Sequence, residues 1–108
     1  MARYGATTTL PPRRVILLAR EHFGPDSRLG LPIAKESWNE ATFEGGGGAV
    51  TVTALPRAGD LGVTDVSVAS REYDDQAVRF LVALAGATGP LARLRALWRR
   101  LRRAARRR

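Results

Sequence analysis

Residues 49–55 read AVTVTAL, and they lie between two runs of turn chemistry, GGGG at 45–48 and PRAGD at 56–60. Val50 and Val52 alternate with Thr51 and Thr53, the period-two pattern of a half-buried strand. Glycine, proline and aspartate on both sides force tight reversals. Parallel neighbours need a crossover of a dozen or more residues, and these connections are too short for one. The segments on either side must therefore run antiparallel to 49–55. They are ESWNEATFE, residues 36–44, and LGVTDVSVAS, residues 61–70. In the first, Trp38 and Phe43 have opposite parity, which predicts either a bulge or side chains on both faces. In the second, Val66 and Val68 are expected inward, with Asp65 and Ser67 outward.

A helix is expected on each side of this meander. In PPRRVILLAREHFGP, Pro11 and Pro12 suit a helix start, where a missing N–H costs little. Val15, Leu18, Ala19 and His22 recur at helical spacing, and Ile16 and Phe23 widen the face. Gly24 can take the left-handed residue that ends a helix, and Pro25 prevents continuation, so the helix is placed at 12–23. In REYDDQAVRFLVALAGATG, Ala77, Val78, Leu81, Leu84 and Ala85 form one side, which Tyr73 and Phe80 extend. Two helices with apolar stripes need a surface to cover, and a sheet face supplies it. The expected fold is α+β: a two-layer sandwich ordered helix, three-stranded antiparallel meander, helix, followed by a C-terminal amphipathic basic helix. Residues 1–9 are read as a frayed arm or a short edge strand, residues 10–87 as the domain and 88–108 as a tail. The layout resembles small helix-on-curved-sheet domains, including pieces of helix-grip folds, in topology alone. It leaves one sheet face uncovered, where Thr51, Thr53 and Trp38 are expected.

The tail, ARLRALWRRLRRAARRR at 92–108, holds nine arginines and no acid. The chain as a whole has 108 residues and a net charge of +8, but residues 1–89 carry nine basic and ten acidic side chains. The body is thus near neutral and the tail strongly cationic. Thr88 or Gly89 can cap a helix, and Pro90 fits its first position. On a helical wheel Leu91, Leu94, Leu97, Trp98, Leu101 and Ala105 fall within roughly 120° of arc. Arg93, Arg95, Arg99, Arg100, Arg102, Arg103, Arg106 and Arg107 cover the opposite side. A disordered basic arm that only neutralises phosphate has no need of a leucine stripe. Alone in water, such a helix with many like charges is marginal, so the stripe is expected to bury somewhere.

Three destinations fit. On an anionic lipid surface, Leu94, Leu97, Trp98 and Leu101 would enter the headgroup boundary while Arg95, Arg99, Arg102 and Arg103 hold phosphates. On nucleic acid, the stripe would pack on the body and the arginines would face the backbone phosphates. In the third case the stripe docks on a protein partner, on the domain itself or on another copy. An exposed sheet edge offers a further route to self-association. The near-neutral body and the lack of Phe or Tyr among the arginines count against nucleic acid.

Chemistry elsewhere is sparse. There is no cysteine, which excludes disulfides, thiolate zinc sites and thiol catalysis. The glycine run lacks the lysine and following helix of a phosphate loop and reads as a hairpin turn. His22 is the single histidine, beside Glu21 on a helix that points them apart, and a role at the helix C-terminus accounts for it. Glu72, Asp74 and Asp75 read as the acidic start of the second helix. Serines 27, 37, 67 and 70 lack a nucleophile-elbow context. No secretory signal and no apolar run of membrane-spanning length is seen. The expectation is a cytoplasmic, non-enzymatic binding or adaptor domain, peripheral at the inner face of the membrane, without cofactor or metal.

Overall fold

The computed structural model describes residues 1–60 and 62–87. The elements run β1 (Ala2–Thr8), α1 (Pro12–Phe23), β2 (Ile33–Glu36), β3 (Glu40–Gly45), β4 (Gly48–Pro56), β5 (Thr64–Arg71) and α2 (Asp74–Ala87). The strands form one antiparallel sheet in the order β1-β5-β4-β3-β2. The expected three-stranded meander is therefore corrected to five strands. β3, β4 and β5 are the anticipated hairpins, and one strand is added at each side.

The two additions have different causes. Residues 36–44 do not make one strand, because Trp38 and Asn39 form a reversal. The Ser37 N–H donates to the Glu40 carbonyl at 2.7 Å, and the Ser37 hydroxyl reaches the Asn39 side chain at 3.0 Å. That reversal resolves the parity conflict: Phe43 is buried in β3, while Trp38 sits in the turn, 59% exposed, and not within a strand. At the other side, residues 1–9 hold all of β1, which pairs with β5 from Ala2↔Ser70 to Thr8↔Thr64. The pairing is clamped where β1 leaves the sheet. The buried Thr64 hydroxyl donates to the Leu10 carbonyl at 2.7 Å, and Thr8 Oγ1 accepts from the Leu10 N–H at 3.2 Å.

Strand parity and register place the core. Across the sheet, Tyr4, Val68, Val52 and Ala41 share one row, and Ser70, Val50 and Phe43 the next. Both helices cover this face: α1 lies over β3 and β4, α2 over β1 and β5. Val15, Ile16, Ala19 and Phe23 of α1, with Ala77, Phe80, Leu81 and Leu84 of α2, complete a single apolar cluster. Phe23 is its hub, with ring centres 5.8 Å from Phe43 and 5.3 Å from Phe80. The opposite face carries threonine, serine and charged side chains, with Leu55 exposed among them. There Thr42 and Thr51, partners across β3 and β4, share a hydroxyl hydrogen bond of 3.1 Å.

The termini of α1 match the expected 12–23, but its ending works differently. Gly24 is extended, with φ −72°, not left-handed. Its N–H donates to the Arg20 carbonyl at 2.8 Å, and a side chain there would strike that same carbonyl. Glycine is required by close approach, not by positive φ. The expected C-terminal amphipathic basic helix falls within 88–108, outside the described residues.

Candidate functional site

Among the described residues the helix layer borders apolar recesses, of which two bear on function. The first is a cleft of about 370 Å³ between α1 and α2, lined by Leu18, Glu21, His22, Phe80, Ala83 and Leu84. Leu18 and His22 belong to the apolar face predicted for α1, but both are only partly buried, because they point toward α2 and away from the sheet. The His22 ring stacks near Phe23 and Phe80, at 4.9 and 5.6 Å between centres. Burial lowers its pKa below 6.5; a backbone hydrogen bond with Gln76 opposes that, and Arg79 adds to the lowering. Burial thus favours the uncharged imidazole. Glu21, the acid in this cleft, is its neighbour on the same helix, and α2 contributes Phe80, Ala83 and Leu84 to the lining. The cleft thus sets the His22 imidazole against the Phe23 and Phe80 rings, a contact between the two helices.

The second recess, about 330 Å³, runs along the outer edge of β1 beneath α2. Tyr4 and Ala6 form its floor, and Val78, Leu81, Val82 and Ala85 form its wall. Val78 and Ala85 were expected in the core. β1 is the last strand of the sheet among the described residues, however, and the outer side of α2 reaches past it. Val78 is 43% and Val82 65% exposed as a result. No feature of the sequence alone marks this recess, since it exists only where β1 and α2 come together.

The other candidates are accounted for by the fold. Gly46 and Gly47 take φ of +60° and +83° as the two central residues of the β3–β4 hairpin, the conformation that favours glycine. The Tyr73 hydroxyl donates to the Gly45 carbonyl at 2.6 Å, so the glycine run is packed against the start of α2. Asp74 and Asp75 occupy the first turn of α2, where negative charge meets the free N–H groups. Glu72 lies before it with a positive φ of 74°. Ser70 Oγ accepts from the Tyr73 N–H at 3.2 Å, and Ser27 bonds to the Gly24 carbonyl at 2.7 Å. Among the described residues no cluster of three or more His, Asp or Glu is placed to hold a metal.

No family model, curated protein or solved structure matches this chain. Function must therefore be argued from its own residues. Leu94, Leu97, Trp98 and Leu101, together with Arg95, Arg99, Arg102 and Arg103, lie outside the described residues. What the described part contributes is a near-neutral body whose last helix, α2, leads directly into that segment.

Proposed function

We propose that this chain is a non-enzymatic binding or adaptor domain held at an anionic lipid surface by its basic C-terminal segment, at the cytoplasmic face of the membrane. The observation that carries this reading is the coincidence, in one 17-residue stretch, of an apolar stripe with an arginine face that has no acidic residue. Leu94, Leu97, Trp98 and Leu101 enter the boundary of the headgroups, and Arg95, Arg99, Arg102 and Arg103 engage lipid phosphates. At about 1 kcal/mol for each basic residue near an anionic leaflet, these four arginines contribute roughly 4 kcal/mol before any apolar burial. No helix among the described residues is long and apolar enough to cross a bilayer, so contact in this reading is peripheral.

Co-sedimentation of the full chain with phosphatidylserine-containing and with neutral vesicles tests it, alongside Leu97→Glu combined with Leu101→Glu. Binding that requires anionic lipid, falls at least tenfold in the double variant and survives added duplex DNA supports the proposal. If the double variant binds as well as the parent, the stripe does not insert. Loss of lipid binding to modest DNA, with a steep salt dependence of DNA affinity, transfers the arginines to nucleic acid and overturns it.

A further inference from the structure

We infer that the outer edge of β1 and the exposed side of α2 form a symmetric interface with a second copy of this chain, giving a continuous ten-stranded sheet. The two edges of the sheet are guarded very differently. β2 has four residues, follows Pro32, carries Lys35 and Glu36, and breaks register between Ile33 and Lys35. Shortness, charge and a bulge are the devices that stop an edge from pairing. β1 is neither short nor bulged. Its seven residues pair with β5 without a shift, contain no proline, and include one charge, Arg3.

One register lets a second copy pair with the whole of this edge. A two-fold axis normal to the sheet keeps both helix layers on the same side. Placed at Gly5, the middle of Ala2–Thr8, it pairs all seven residues. Arg3 then faces Thr7 of the other copy, Tyr4 faces Ala6, and Gly5 faces Gly5. No like charges oppose each other, and a large side chain meets a small one twice on the helix side. Moving the axis to Arg3 would set arginine against arginine and shorten the ladder.

The helices agree with the same axis. α2 lies over β1 and β5, so its axis stands about one strand spacing from the two-fold. The two copies of α2 would then run antiparallel about 10 Å apart, within the range of packed helices. The side chains aimed across that gap are Val78 and Val82, 43% and 65% exposed in the single chain. Val78 would meet Val82 of the other copy. An added peptide strand would cover β1 but leave these valines facing water; a second α2 covers both.

Sedimentation equilibrium on the full chain at roughly 1–100 µM, in about 0.15 M salt so that charge pairs with Arg3 are not screened out, reads the outcome. The parent is expected at twice the 11.7 kDa chain mass at the upper concentrations. Val82→Lys should weaken association at least tenfold. Thr7→Lys should weaken it about fivefold by opposing Arg3 of the other copy, whereas Thr7→Glu should tighten it. Inside one chain Thr7 faces Asp65, so the lysine variant favours the fold while disfavouring the pair, and a melting temperature at low concentration no lower than the parent's separates the two. A parent that stays monomeric throughout overturns the inference, as does a dimer indifferent to all three substitutions. A monomer whose tryptophan emission shifts on Val82→Lys also overturns it, by placing the chain's own C-terminal segment in the recess. None of these outcomes depends on lipid binding.

Discussion

Replacing Gly48 by alanine tests whether the glycine run serves the fold or serves a ligand. Gly48 opens β4, and a Cβ built there would meet the Arg71 carbonyl, the Tyr73 ring at 2.7 Å and Glu72 Cβ at 2.9 Å. In open space a Gly→Ala change at ordinary backbone angles stabilises by about 0.4–1 kcal/mol, through the unfolded chain. Here the added methyl is overpacked, at a typical cost of 1–3 kcal/mol. The upper part of that range applies, because one obstacle is backbone held in the β4–β5 ladder beside the Ala49↔Arg71 pair. The net expectation is a loss of about 1–2 kcal/mol, and for a folded unit of this size each kcal/mol lowers the melting temperature by roughly 4–8 °C. Gly47→Ala is the control. Nothing lies within 4 Å of its Cβ position, and its φ of +83° is the sole penalty, about 1 kcal/mol less the same entropic gain. Urea unfolding of both variants at equal slope gives the comparison. If Gly48→Ala is as stable as the parent, or loses less than Gly47→Ala, then the run is not shaped by the packing of Tyr73 and Glu72, and a ligand-facing loop regains its case.

Two further expectations rest on single groups. The pKa of His22 is lower in the folded chain than in the unfolded one, so the unfolded state binds more protons; stability should be full above about pH 6.5 and fall as pH drops through that value toward the lowered folded pKa. His22→Gln should remove this slope, with Glu21 and Arg79 left in place, and equal slopes for parent and variant between about pH 5 and 6.5 would show that His22 is not desolvated. Thr64→Val should cost about 1–3 kcal/mol, because it leaves the Leu10 carbonyl without its 2.7 Å partner. Amide exchange should accelerate in β1 before the rest of the sheet, and uniform acceleration would contradict a local clamp.

Much of the fold was legible because local chemistry specified it. The period-two run at 49–55, with glycine on one side and Pro-Arg-Ala-Gly-Asp on the other, marked the antiparallel hairpins. Pro11 and Pro12 at the start of α1, and Gly24 with Pro25 after it, marked both ends of that helix. Val66 and Val68 inward and Asp65 outward followed from alternation alone. The Trp38–Asn39 reversal was missed, although Ser37 and Asn39 carried its signal; two aromatic residues of high strand propensity outweighed them. The candidate site divides in the same way. The arginines and leucines of 91–108 can be read from a linear string, whereas the β1 edge and the wall of α2 cannot.

By itself, then, the sequence determined the hairpins, the helices and the partition of charge between body and tail, because each depends on neighbours a few residues apart. Tertiary structure decided the rest. ARYGATT has too few apolar residues to declare a strand, and it becomes one only because β5, some sixty residues later, offers a complete row of hydrogen-bonding groups. That single long-range pairing sets the width of the sheet. The width decides which side chains of α2 find a surface to cover and which, Val78 and Val82 among the described residues, stay exposed beside β1.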